Sequence, residues 1–189
     1  MEQVSSNRRI AKNTLFLYIR MLFVMAVTLY TSRLVLDALG IEDYGLYNVV
    51  GGIVSIFAII NGALSSGSSR FITFELGRGD KERLGKTFSA SFLIHTVIAL
   101  IVFVLAETIG LWYVNNILVV PEGRLVVANW LYQFSVLTCM LSLTQVPYSA
   151  CIIAHEEMNI YAFVGIAEAV FKLLMVLFLI AIDSFDRLL

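Results

Sequence analysis

Five apolar runs, each long enough to cross a lipid bilayer, leave this chain few folds to choose from. They cover approximately Leu15–Leu36, Tyr44–Ser66, Phe88–Tyr113, Leu125–Ala154 and Ile160–Ile182. About twenty helical residues, rising ~1.5 Å each, span a hydrocarbon core of ~30 Å. The expected class is therefore all-α: a polytopic transmembrane helical bundle of about five spans, forming one transmembrane domain over residues 1–189. Composition agrees, because only 14% of the residues are charged and 59% are hydrophobic, whereas a soluble domain carries roughly 25% charged residues. The lipid bilayer is the partner this composition demands. The first run follows Arg8, Arg9 and Lys12, as in a signal peptide. It is long enough to span, lacks a small-residue cleavage site and precedes further spans, so it reads as a retained helix.

Charge between the runs sets the expected orientation. Arg8, Arg9 and Lys12 precede the first span, and Arg70, Arg78, Lys81, Arg83 and Lys86 fall in a loop expected over about 70–87. The opposite side holds Asp37, Glu42, Asp43, Glu107, Glu122 and a single Arg124. The positive-inside rule then places the N-terminus and the 70–87 loop in the cytoplasm. The His155-Glu156-Glu157 turn belongs on the same side without a basic residue, and acidic residues weigh little in this rule. Gly40 and Gly45, Gly77, Gly79 and Gly85, and Pro121 and Gly123 are the expected turn markers.

Several classes of function are disfavoured. A net charge of −1 without a basic helix face offers nothing to nucleic acid. Cys139 and Cys151 lack metal-ligand or disulfide spacing and read as packing residues. No nucleophile elbow, zinc-protease motif or phosphate-binding glycine loop occurs, so neither an enzyme nor a cofactor or metal is expected.

Polar groups inside the spans carry the functional information, since burying a charge costs roughly 2.5–3.5 kcal/mol on insertion scales. Counted from the cytoplasmic ends, Arg20, Asn61, His95 and Glu168 fall in the inner half of the membrane and Lys172 near its centre. Four helices thereby supply one polar layer, as expected of a hydrated inward-facing cavity. Each residue also has a plainer reading. Arg20 can snorkel to the interface or bind a phosphate bidentately. Asn61 can bridge helices or line the cavity, and His95 can pack through a hydrogen bond or relay a proton. Glu168 and Lys172, four apart, can neutralise each other. Arg33 can likewise pair with Asp37. Arg70 is expected to anchor at the inner boundary, within reach of a lipid headgroup. Gly51, Ser55, Ala58, Gly62, Ser65 and Ser69 form a small-residue stripe expected to be a packing seam. Pro147 is expected to kink or locally unwind the fourth span.

Three phrases occur in a telling order: Arg33-Leu-Val-Leu-Asp-Ala-Leu-Gly40 with Asp43-Tyr-Gly-Leu-Tyr-Asn48, Ser69-Arg-Phe-Ile-Thr-Phe-Glu-Leu-Gly77 with Gly79-Asp80, and Val146-Pro-Tyr-Ser-Ala-Cys-Ile-Ile-Ala-His-Glu156. Together they resemble the N-terminal half of Wzx-type polysaccharide-biosynthesis (O-antigen) flippases, in the multidrug/oligosaccharidyl-lipid/polysaccharide exporter superfamily. The resemblance implies a bacterial cytoplasmic (inner) membrane protein that moves an undecaprenyl-diphosphate-linked oligosaccharide outward for polysaccharide or lipopolysaccharide synthesis. It also implies two lobes of six helices, with cavity cations that receive the pyrophosphate; Arg20 and Lys172 fit that role. Five spans correspond to an incomplete N-terminal lobe, so a C-terminal lobe or other polysaccharide-assembly membrane proteins are the implied partners. Alternatives are a multidrug or cation antiporter of the same superfamily, a non-transporting membrane scaffold, and the inactive product of an interrupted gene.

Overall fold

The computed structural model of the chain describes residues 2–120 and 123–186. Their regular structure is helical: α1 (Glu2–Ser55), α2 (Ala58–Arg78), α3 (Lys81–Leu105), a π-helical turn (Ala106–Gly110), α4 (Leu111–Asn116), α5 (Leu125–Ala154) and α6 (Met158–Asp186). Among the described residues, four stretches are long and apolar enough to cross a membrane: Ile10–Ser55, which is interrupted at Gly40, Lys81–Asn116, Leu125–Ala154 and Met158–Ala181. Their large apolar side chains face outward along their length, among them Leu22, Leu29, Leu100, Leu141, Phe171 and Phe178. In water such surface would be intolerable, whereas lipid tails solvate it without cost. This is a multi-pass α-helical membrane protein.

The helices divide differently from the apolar runs. No separate helix covers the second run, 44–66. Its first part lies in the helix that follows the Gly40 break within α1, its second begins α2, and a further break falls at Ile56 and Phe57, where the Phe57 N–H turns back to the Val54 carbonyl at 3.1 Å. The α1 backbone is interrupted earlier by Gly40, with φ 76° and ψ 175°, a conformation essentially confined to glycine. The 70–87 loop is likewise mostly helix, since α2 runs on to Arg78 and α3 starts at Lys81. The turn itself is Gly79 and Asp80. Gly79 closes α2 in the left-handed conformation, and Asp80 caps α3 by accepting from the N–H groups of Glu82 and Arg83, each at 3.1 Å. Gly45, Gly77 and Gly85 therefore lie within helices. Of the third pair of turn markers, Pro121 lies outside the described residues, as does Glu122.

Two compact units result, one formed by the residues up to Tyr44 with those from Glu156 onward, the other by Gly45–His155. In the second unit α2, α3 and α5 pack on one another. Its core centres on Val50, Ala106, Val114, Ala128, Tyr132 and Val136, and a smaller cluster joins Ala99, Val102 and Leu143. The alanines matter because small side chains let two backbones approach in lipid, where packing rather than water exclusion holds helices together. The small-residue stripe plays less of that part than expected. The break at Ile56 and Phe57 divides it, and a Cβ at Gly51 or Gly62 would meet nothing within 4 Å. Pro147, fully buried, sits in an α5 that stays helical through it, so of the expected kink or local unwinding the unwinding is absent.

Candidate functional site

In the first unit, Arg20 of α1 lies against α6. Its guanidinium carbon is 4.5 Å from the centroid of the Tyr161 ring, a cation–π contact that holds the side chain beside α6. One turn further along α6, Gly165 leaves the space that the arm of Arg20 occupies, since a Cβ there would fall on Nε. That Nε is enclosed and meets no hydrogen-bond acceptor among the described residues. Nearer the start of the two helices, Asn13 Nδ2 donates to the Glu156 carbonyl at 3.2 Å. Partners rise in number from 156 to 165 as α1 advances from 13 to 20, so the two helices run in the same direction.

Tyr161, Gly165, Glu168 and Lys172 are spaced four, three and four apart, which places them along one stripe of α6. The stripe that seats Arg20 thus leads on to Glu168 and, ~10 Å beyond Gly165 along the axis, to Lys172. Both are exposed. The expected Glu168–Lys172 pair does not form, nor does Arg33–Asp37, while the exposed pairs Arg83–Asp80 (3.3 Å) and Lys86–Glu82 (2.6 Å) do. Arg20 also has no carboxylate within ion-pair distance among the described residues.

Asn61 and His95 belong to the second unit. Asn61 lines a cavity of about 450 Å³ with Tyr47, Phe57, Phe134, Ser135, Thr138 and Ser142 among its other walls. The cavity has no charged lining. Its α5 hydroxyls donate to their own helix: Ser135 to Leu131, Thr138 to Phe134 and Ser142 to Thr138. They turn only acceptor capacity toward the space. His95 lies elsewhere, fully enclosed on α3, its Nδ1 2.7 Å from the Ser91 carbonyl and its Nε2 without a partner among the described residues. A carbonyl can only accept, so Nδ1 carries a hydrogen. Arg70 is exposed on α2, beside an open hollow that it shares with Ser66, Ser69, Thr73 and Phe74.

Sequence reasoning missed a further polar group. Glu107, counted above with the outer-side charges, sits inside a helix, in the π turn, and faces α5: its Oε2 accepts from Gln133 Nε2 at 3.1 Å. Beside it the Tyr132 hydroxyl donates to the Ala106 carbonyl at 2.8 Å. Two turns on, Asn115 and Asn129 exchange hydrogen bonds of 3.1 and 2.9 Å. The sequence signal was the four-residue spacing of Asn129 and Gln133, which places two carboxamides on one face of α5. Gly110 permits the seam, because a Cβ there would collide with the Tyr132 hydroxyl. Replacing a helical glycine by alanine normally gains ~1 kcal/mol. Here Gly110→Ala is expected to cost about 1–3 kcal/mol through overpacking, read as a lowered unfolding midpoint in detergent, and to become favourable once Tyr132 is truncated.

Against known proteins, no family model, curated protein or solved structure matches this chain.

Proposed function

We propose that the protein is a flippase, moving an undecaprenyl-diphosphate-linked oligosaccharide across the bacterial cytoplasmic membrane by alternating access. The observation that supports this reading is the Arg20 seat. A guanidinium held by Tyr161 and Gly165, with no carboxylate among the described residues to neutralise it, keeps its donor edge available to a phosphate. Lys172, on the same stripe of α6, supplies a second positive charge along the path of the headgroup. Glu168 between them moderates the field when no anion is bound.

The test is glycan export in cells producing the full chain, scored by lectin access to the outer leaflet. A hydrogen bond to a charged group contributes about 1.5–3 kcal/mol, so Arg20→Ala is expected to lower export roughly 10- to 100-fold. Arg20→Lys should recover part of it, keeping charge but not the fork. Wild-type export by both Arg20→Ala and Lys172→Ala would remove these residues from the mechanism.

A further inference from the structure

Glu107 is a carboxylate in the wrong company. No Lys or Arg occurs in Leu46–Ser55, Thr87–Asn116 or Leu125–Ala154, the stretches of α1, α3 to α4 and α5 around it. Arg124, at the N-cap of α5, lies ~13 Å along the helix axis from Gln133. The ionisable groups that these elements offer are Tyr132 and Tyr148 on α5, Tyr47 on α1, and His95 and Tyr113 on the Glu107 helix itself, with Cys139 and Cys151 on α5. None of the nearer ones brings a positive charge, and His95 is twelve residues away. Glu107 Oε1 is enclosed by protein and meets no donor among the described residues. A bare carboxylate oxygen so placed is costly.

The neighbouring pair indicates how the cost is avoided. Asn115 and Asn129 bond reciprocally, each carboxamide giving one hydrogen and accepting one. Glu107 and Gln133, on the same two helical segments, complete only half of that pattern, the bond from Gln133 Nε2 to Glu107 Oε2. The missing half needs a hydrogen on Glu107 Oε1, pointing at the Gln133 carboxamide oxygen. We propose that Glu107 carries a proton on Oε1 and forms with Gln133 a reciprocal acid–amide pair, a proton-binding site in the seam between the π turn and α5.

The proton resides there as long as the seam is closed. Parting the π turn from α5 strips Gln133 from Glu107 and admits water, so that release of the proton and opening of the seam are linked. The Tyr132 bond to Ala106, one residue away on each side, closes or breaks with it. A metal cation is a poor alternative, because Gln133 already points its NH₂ group at Oε2 and the Tyr132 hydroxyl is committed to Ala106. The proposal stands independently of the flippase reading, and its test does not use transport.

Infrared difference spectra of the full chain in lipid nanodiscs at neutral pH provide that test. Wild type is expected to show a carboxylic-acid C=O band that Glu107→Gln removes and Gln133→Leu shifts by deleting the hydrogen bonds. Glu107→Gln, which mimics the neutral acid and can pair with Gln133 as a second carboxamide, is expected to unfold within experimental error of wild type. A wild-type spectrum identical to that of Glu107→Gln in the acid region would overturn the proposal. Should Glu107→Gln not fold, wild type and Gln133→Leu carrying ¹³Cδ-labelled glutamate decide the matter by NMR. A neutral-acid carboxyl signal that moves in Gln133→Leu supports the proposal, and ionised signals alone refute it.

Discussion

Tyr132→Ala is expected to lower the stability of the protein by about 3 kcal/mol, measured as the change in unfolding free energy in mixed micelles of a mild detergent and dodecyl sulfate. Truncating a buried aromatic residue in a soluble protein costs about 3–5 kcal/mol, of which part is the loss of transfer from water. In a membrane that part largely disappears, because the unfolded side chain still lies in an apolar medium. What remains is packing and the hydroxyl. Tyr132 is fully buried among Ala106, Val114, Ala128 and Val136, and its ring leaves a void that the helices on either side can only partly close. Tyr132→Phe separates the two contributions. It keeps the packing and removes one hydrogen bond to a carbonyl that also receives the N–H of Leu111, so the expected loss is only about 0.5–1.5 kcal/mol. Equal losses for the two variants would mean that the hydroxyl, and not ring packing, holds the seam.

Leu143→Ala carries the second large expected effect, about 2–3 kcal/mol in the same assay, the lower part of the ~2–5 kcal/mol range for such truncations. Leu143 is fully buried between Ala99 and Val102 of α3 and is flanked by Leu64 of α2 and Cys139, so three helices lose contacts at once. The site is also poorly able to relax. The ring of Tyr148, five residues on, packs edge-on against Phe88 and Phe92 at 5.3 and 5.9 Å and ties this part of α5 to α3. Leu141→Ala, on the exposed face of the same helix, is the control and should change stability by less than about 0.5 kcal/mol. A loss at Leu141 equal to that at Leu143 would show that α5 is buried on a different face.

The two sites differ in how far the sequence revealed them. Arg20 stood out because a lone guanidinium in an apolar run is costly wherever it lies, but Tyr161 and Gly165, which seat it, look ordinary in a span rich in aromatic and small residues. Glu107 was misread. Its position near the end of a run suggested an interface, whereas the helix continues for another nine residues, to Asn116, and the π turn rotates Glu107 toward α5. Spacing had also allowed Glu168 to pair with Lys172, but helical proximity only permits a pair.

The sequence by itself determined the class of this protein, the apolar stretches from which its helices are built and the Gly79-Asp80 turn. Each of these follows from local free energies: hydropathy summed over about twenty residues, a left-handed glycine and an aspartate that caps the next helix. Tertiary structure alone decided that the second run is divided at Ile56 and Phe57, where no glycine or proline marks the chain. It also decided that the small-residue stripe is not a tight seam, and that Tyr132, Gln133 and Asn129 meet the end of the third run. Those outcomes depend on which faces of two helices meet, a property of pairs of segments that no single segment encodes.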